Sequence, residues 1–394
     1  MMDINELRAG IDSIDDEILA LLIKRMQIVR QIGALKAKSG ATIYRPEREK
    51  QILDRLKVQL FNECSALNEA KNKDIKAHNL GDKNLELAIN KSKNELNPAL
   101  INPALQSIFY EIFALSRSLE APQKVAFLGP LGTYSHEAAK SRFGSLSAYT
   151  PLSTIEAVFK EVQRGASDFG VVPIENNTEG AVNITLDCLK TYENAKIVAE
   201  IYLDIRHALA SHAIRLDEIK RIYSHPQAYA QCRDFLSSHG LGEVEFVACN
   251  STANAASKAA QDKDGAAICS RVAASLEALP ILQASVQDNS ANRTRFFVLG
   301  RFKNVPSGSD KTSILAHTPH KPGGLFELLG LFKGENINIT KLESRPIKRE
   351  SFKSMFYIDF EGHIDDESVR RALDGARASG HEVRFLGSYI NQMI

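Results

Sequence analysis

Arg8, Arg25, Lys36, Arg48, Glu49, Ser116 and Glu120 gather cations and hydrogen-bonding groups in the first 120 residues, with no nucleophile paired to a base. Arginine forks bind carboxylates bidentately, so such a set suits a ligand with more than one acidic group. The same residues also read as solvated cations of surface helices. On a helix turning about 100° per residue, Arg25 and Lys36 fall within about 20° of each other and share a face. Arg8 lies about 100° from Arg25 and points elsewhere. Farther on, GPLGTYSHEAA (129–139) feeds Thr133 and Ser135 into a helix start. It reads either as an N-capped junction or as a cradle of backbone N–H groups for an anion. It matches neither GxGxxG nor the Walker loop, so it implies no nucleotide. In GVVPIENNTEGAV (170–182), Glu175, Asn176 and Asn177 directly follow an apolar strand, a place for an α/β site or for a plain turn. NRTRFFVLG (292–300) sets Thr294 and Arg295 just before a strand. None of the ten histidines pairs at metal-ligand spacing on a helix, and His225, beside Pro226, reads as a hydrogen-bonding residue. Neither a metal nor an organic cofactor is expected.

The elements that must carry these residues differ along the chain. Residues 4–37 repeat apolar side chains with a helical period, giving one helix of about 50 Å. A helix this long cannot bury its stripe on short neighbours and calls for a partner helix from a second copy of the chain. Pro46 fits the first turn of a second helix, and 101–119 form a third. Between them, 57–100 are rich in Asn and Lys: Leu56, Leu60 and Leu67 can extend helix two before the chain becomes a polar insertion. From Pro122 short β-branched runs alternate with helical ones, predicting an α/β domain over 122–302 with a mostly parallel sheet. After the polar stretch 303–311, a βαββαβ order over 312–394 predicts a ferredoxin-like α+β domain. The 394 residues carry a net charge of +1, which gives no bulk attraction to nucleic acid or anionic membranes. Five scattered cysteines, no apolar leader and no long apolar window predict a cytoplasmic protein.

Taken in order, LRAGIDSIDDEILALLIKRMQIVRQIGALKAKSG and IYRPEREKQIL resemble the all-helical chorismate mutases across 1–120, apart from the insertion. That resemblance implies an interlaced homodimer, with Arg8 crossing into the neighbouring site. Arg25, Arg48, Glu49 and Ser116 would hold chorismate, and Lys36 and Glu120 would meet its ether oxygen. A carboxylate cannot donate, so this role requires Glu120 to be protonated. The family position filled by Arg45 is often Asp. The motifs GPLGTYSHEAA, GVVPIENNTEGAV, SHPQAYAQC (224–232), STANAA (251–256) and the closing TRF resemble prephenate dehydratase, with two α/β lobes around a cleft. This implies Thr294 as the main catalytic residue, assisted by Asn176, Ser224 and Gln231. Thr133, Ser135, Glu175 and Arg295 would bind substrate, with Arg295 pairing either with a substrate carboxylate or with protein. KPGGLFELLGLF (321–332) and KLESRP (341–346) resemble the ACT regulatory domain, implying a phenylalanine site built from Gly323, Leu325, Glu343, Ser344, Arg345 and Pro346.

The expectation is a three-part enzyme: an all-helical mutase domain, a two-lobed dehydratase domain and an ACT domain. It would turn chorismate into prephenate and then phenylpyruvate under phenylalanine control, as a homo-oligomer of at least two chains. The rivals are a monofunctional dehydratase whose helical arm only dimerises or regulates, and a non-catalytic binding protein on the two-lobed scaffold.

Overall fold

Apolar side chains at helical spacing, unbroken by proline, build a single helix α1 (Ile4–Ser39). The computed structural model describes residues 3–39, 44–78, 97–346 and 354–392. Pro46 begins α2 (Pro46–His78), with Glu47 and Glu49 in its first turn, where carboxylates suit the positive end of the helix. α2 continues to His78, so the first part of the Asn/Lys-rich stretch is helical; 79–96 lie outside the described residues. α3 (Pro98–Glu120) starts three residues before the expected Ile101, because Asn97 caps it by accepting from the Ala99 N–H at 2.9 Å. These helices belong to one compact unit, Met1–Pro122 with Gly144–Leu146. Val29, Phe113 and Ala114 are buried in it, whereas Leu7, Ile11, Ile14, Ile18 and Leu21 of α1 are all at least half exposed.

The second unit, Gln123–Phe143 and Ser147–Ile394, holds the other two folds together. Its first sheet runs β2 (Ala148–Leu152), β1 (Lys124–Leu128), β3 (Phe169–Asn176), β11 (Arg293–Gly300), β5 (Lys196–Asp204), with β4 (Gly180–Ala181) beside β3. The second runs β10 (Ile281–Gln283), β6 (Ala208–Ser211), β9 (Gly265–Cys269), β7 (Arg221–Ser224), β8 (Glu245–Ala248). The sheets are mixed rather than mostly parallel. β1–β2, β1–β3, β7–β8 and β7–β9 are parallel, but β11 lies antiparallel to β3 and β5, and β6 antiparallel to β9 and β10. The reason is the chain path. It leaves the first lobe after β5, builds the second, and returns through 284–292 to lay β11 into the centre of the first. His207 therefore follows the outward crossing and Thr294 the return.

The last four strands, β12 (Asp310–His317), β13 (Ile339–Pro346), β14 (Ser354–Glu361) and β15 (Glu382–Ile390), form an antiparallel sheet in the order β13-β14-β12-β15, with helices Gly324–Gly334 and Glu367–Ala378 in the expected order. Strand alternation splits its side chains into two layers. Ile314, Ile358 and Phe360 pack under the helices, while Leu315, Met355 and Tyr357 join Ile197, Phe297 and Leu299 of the first lobe in one core.

Candidate active sites

In the helical unit a cavity of about 530 Å³ is lined from all three helices. Arg25 and Lys36 do share its wall, as their phase requires, joined by Arg45, Arg48 and Glu49 near the start of α2 and by Ser116, Arg117 and Glu120 of α3. Arg25 donates to Ser116 Oγ, which in turn donates to the Ile112 carbonyl at 2.6 Å. Lys36 Nζ donates to Glu120 Oε2 at 2.7 Å, so the two groups assigned to one ether oxygen meet each other. Arg45 pairs with Glu47, and Arg48 donates to Gln51 Oε1 at 3.3 Å. Arg117, which sequence reasoning missed, is buried, pairs with Glu49 and lies 5.6 Å over the Tyr44 ring. Five lining cations outnumber the three lining acidic side chains (Glu47, Glu49, Glu120), so the cavity suits an anionic ligand. Arg8 is exposed on the half of α1 that none of the described helices covers, and it is not among the lining residues.

The cleft of the two-lobed domain encloses about 380 Å³ and is lined by Thr133, Ser135, Asn176, Gln231 and Thr294 of the sequence-predicted set. Register explains the central pair: Thr294 stands opposite Asn176 on neighbouring antiparallel strands, so both side chains leave the same face. The Asn176 amide is oriented by its own turn, because Oδ1 accepts the Thr178 and Glu179 N–H groups at 2.9 and 3.3 Å. Its Nδ2 therefore donates, to Thr294 Oγ1 at 2.8 Å and to Asn292 Oδ1 at 2.9 Å. Thr294 Oγ1 accepts from that donor, and its own hydroxyl proton remains available to a ligand in the cleft that Thr294 lines. The GPLGT turn needs Gly132 at φ +85°, where a Cβ would also lie 3.0 Å from Ala273 Cα. Its N–H groups are largely used by the protein: Gly129 N–H goes to the Leu152 carbonyl at 2.8 Å, Gly132 N–H to His136 Nδ1 at 3.1 Å and Thr133 N–H to the Pro130 carbonyl at 3.4 Å. Ser224 corrects an expectation. It is fully buried, donates to the His225 carbonyl at 3.1 Å and does not line the cleft; His225, Gln227 and Gln231 of the same motif do.

Three family profiles match the chain in series: chorismate mutase type II over 7–121, prephenate dehydratase over 125–304 and the ACT domain over 312–377. The bifunctional chorismate mutase/prephenate dehydratase of Aquifex aeolicus is 38% identical over 389 residues, covering 99% of this chain and 98% of that protein. The chain belongs to the bifunctional chorismate mutase/prephenate dehydratase family. Among solved structures, the prephenate dehydratase of Arthrobacter aurescens in complex with L-Phe is 34% identical, covers 68% of this chain and 90% of its own, and superposes with a TM-score of 0.62. A structure described as a novel type of quorum quenching acylase, 28% identical, covers 69% of this chain and 99% of its own with a TM-score of 0.63. Because the family match includes the helical segment, that segment is a mutase domain and not a bare dimerisation arm.

Two residues assigned to prephenate are instead turned toward the ACT domain. Alternation along β3 and β11 sends Glu175 and Arg295 to the face opposite Asn176 and Thr294. Arg295 is 2% exposed and bonds Glu200 at 2.8 Å, Asp359 of β14 at 2.7 Å, Tyr389 of β15 at 3.0 Å and Glu175 at 3.3 Å. Burial works against its charge, but Asp359 and the other anionic neighbours outweigh that and hold its pKa well above the ordinary value. Of its two sequence readings, pairing with protein is the one the geometry bears. Glu175 also pairs with Lys341 of β13.

The residues expected to bind phenylalanine divide in the same way. Lys341, Glu343 and Arg345 stand opposite Asp359, Tyr357 and Met355, on the face toward the dehydratase domain, and Arg345 bonds Asp187 at 3.0 Å. Leu342 and Ser344 are exposed on the other face, and the Pro346 side chain lies outside the described residues. Gly323 takes φ +79° at the start of helix Gly324–Gly334, Leu325 is half-buried, and Phe326 is exposed.

Sequence reasoning also missed Tyr134, His207 and Asn292, all of which line the cleft. Tyr134 stood inside a quoted motif and Asn292 opened another. His207 gave no local signal, because its partners are 24 and 73 positions away.

Proposed function

We propose that the two reactions run at separate sites, with phenylalanine read at the ACT domain. The observation that carries this is the contrast between the cavities: a cationic clamp among helices and a cleft lined by neutral donors. Chorismate rearranges in one intramolecular step, so its site need only hold the folded conformer and favour charge separation as the ether C–O bond breaks. Arg25 and Arg48 suit the carboxylates and Lys36 the ether oxygen, with Glu120 as its second partner. Arg8 would complete the site of a second copy. The exposed stripe from Leu7 to Leu21, continuous with Arg8, supports a homo-oligomer of at least two chains, since a second α1 would cover it.

Prephenate loses CO2 and its ring hydroxyl. As the carboxylate C–C bond breaks, its electron pair enters the ring, aromaticity forms and hydroxide departs, taking a proton to leave as water. Thr294, held by Asn176, is the group we assign to that proton donation, with Gln231 as a neighbouring donor. Thr294→Ala lowers dehydratase turnover by at least about 100-fold and leaves chorismate consumption unchanged; parallel assays on chorismate and prephenate check this, and loss of both activities overturns the separation of sites.

The Arthrobacter aurescens relative holds L-Phe, which favours phenylalanine as effector here, with Gly323, Leu325 and the Glu343–Pro346 run as its residues. Inhibition requires phenylalanine to prefer one of two arrangements. Five buried, unpaired cysteine thiols favour a reducing, cytoplasmic setting. Among the described residues no helix is long and apolar enough to cross a membrane.

A further inference from the structure

We infer that His207 and Tyr134 are positioning residues of the dehydratase, fixing the amide of Gln231 so that its NH2 group faces prephenate beside the Thr294 hydroxyl. This rests on the cleft being the dehydratase site. A series of hydrogen bonds runs outward from the backbone, each setting the direction of the next.

Because the Thr178 and Glu179 N–H groups occupy Asn176 Oδ1, Asn176 Nδ2 is the donor to Asn292 Oδ1. Asn292 must then present Nδ2 on its other side, and this donates to Gln231 Oε1 at 3.3 Å. Gln231 Oε1 is thereby an acceptor, so the 3.0 Å bond from it to His207 Nε2 has the imidazole as donor. A neutral imidazole with Nε2 protonated carries its lone pair on Nδ1, and Tyr134 Oη, 2.6 Å from that atom, donates to it in preference to the Arg206 carbonyl 3.1 Å away. The series therefore runs from a β-strand turn in one lobe, through the side chain of Gln231 just past helix Pro226–Ala230 in the other, to the crossing segment at 207 and the helix start at 134. Two donors are left over. Among the described residues neither Gln231 Nε2 nor the Thr294 hydroxyl hydrogen has a protein partner, and both belong to residues lining the cleft. Donors alone are what a departing hydroxide and a carboxylate require.

The surroundings of the imidazole agree with a neutral ring. It is 2% exposed, and burial holds its pKa below the ordinary histidine value despite an opposing contribution from Gln231. Burial likewise raises the Tyr134 phenol, which stays protonated and able to donate. Without the tyrosine donor the ring could take its other tautomer. Nε2 would then accept, and the Gln231 amide would either lose that bond or turn over against Asn292 Nδ2, which brings its carbonyl oxygen to the substrate's anionic groups.

Tyr134→Phe removes one oxygen and tests this directly. We expect kcat on prephenate to fall about tenfold, the effect of one lost hydrogen bond, with KM changed far less. Gln231→Met lowers kcat by about 100-fold, as for loss of a donor to developing charge. The double variant is no slower than Gln231→Met, since Tyr134 acts through Gln231. Multiplicative losses would mean that Tyr134 touches substrate itself and overturn the inference, as would an unchanged kcat in Tyr134→Phe. Independently of activity, imidazole 15N spectra of the full chain at neutral pH should give His207 a protonated Nε2 and an unprotonated Nδ1, with His207→Gln identifying the signals. A protonated Nδ1 refutes the assignment even if turnover behaves as expected, and a wild-type chain that leaves prephenate untouched refutes the dehydratase reading instead.

Discussion

At the scale of the residue, threonine is a poor acid, and what makes Thr294 useful is the direction of its proton. Asn176 supplies that direction: its amide cannot flip without breaking two bonds to backbone N–H groups, so the hydroxyl oxygen is always the acceptor on the protein side. His207 gives the site a pH limit with a defined sign. The imidazole's lowered pKa keeps it neutral at and above pH 7. The titratable group facing it is Tyr134, itself held protonated. Acidification below the ordinary imidazole value of about 6.5 first charges the ring. Nδ1 then carries a proton, and the phenol must donate instead to the Arg206 carbonyl, 3.1 Å away. The charged ring keeps its Nε2–H on Gln231 Oε1 but loses the Tyr134 donor that fixes it, so dehydratase kcat should be flat above pH 7 and fall toward lower pH. A rate that rises on acidification would contradict this. Stability moves in the same sense, because below that value the unfolded chain binds the extra proton more readily than the folded one.

At the scale of the element, the mutase cavity depends on how closely α1 and α3 approach. Gly33 sits where a Cβ would meet Glu120 Cγ at 3.1 Å and its Cα at 3.4 Å. Alanine would favour the helix by up to about 1 kcal/mol on propensity alone. In Gly33→Ala the added methyl instead displaces Glu120 from Lys36, and we expect mutase kcat to fall about tenfold with helical content by circular dichroism retained. An unchanged rate would show that the approach is slack. Helical spacing made α1 and its Arg25–Lys36 face legible in the sequence. Period-two alternation decides the strands just as firmly, yet neighbouring Thr294 and Arg295 were assigned to one ligand because the bare sequence does not say which face of β11 borders the cleft. Arg117 escaped notice for a related reason: its partner Glu49 lies on another helix, 68 positions away.

At the scale of the whole molecule, the dehydratase and ACT folds share a core and a set of ion pairs that converge behind β3 and β11. Lys341–Glu175 and Arg345–Asp187 tie edge strand β13 to the dehydratase domain, while Arg295–Asp359 and Lys311–Glu200 lie deeper. Glu175 immediately precedes Asn176, and Arg295 immediately follows Thr294. A ligand that shifts β13 thus acts on the residues next to Asn176 and Thr294, the side chains proposed to act on prephenate. Lys341→Ala should leave dehydratase kcat within about threefold but raise the phenylalanine concentration for half-inhibition about tenfold, the scale of a typical coupling energy. A phenylalanine titration of wild type and variant measures it, and an unaltered half-inhibition point removes Lys341 from the route.

The amino-acid sequence alone determined the kinds of element, their order and the identities of the mutase and dehydratase motifs, because these are local: periodicity, caps, turns and contiguous strings of residues. Tertiary structure decided what each motif residue faces. Ser224 turned inward, Arg295 turned to protein carboxylates, and Tyr134, His207 and Asn292 joined Gln231, because hydrogen bonds and ion pairs are made across distances in space that separation along the chain does not encode.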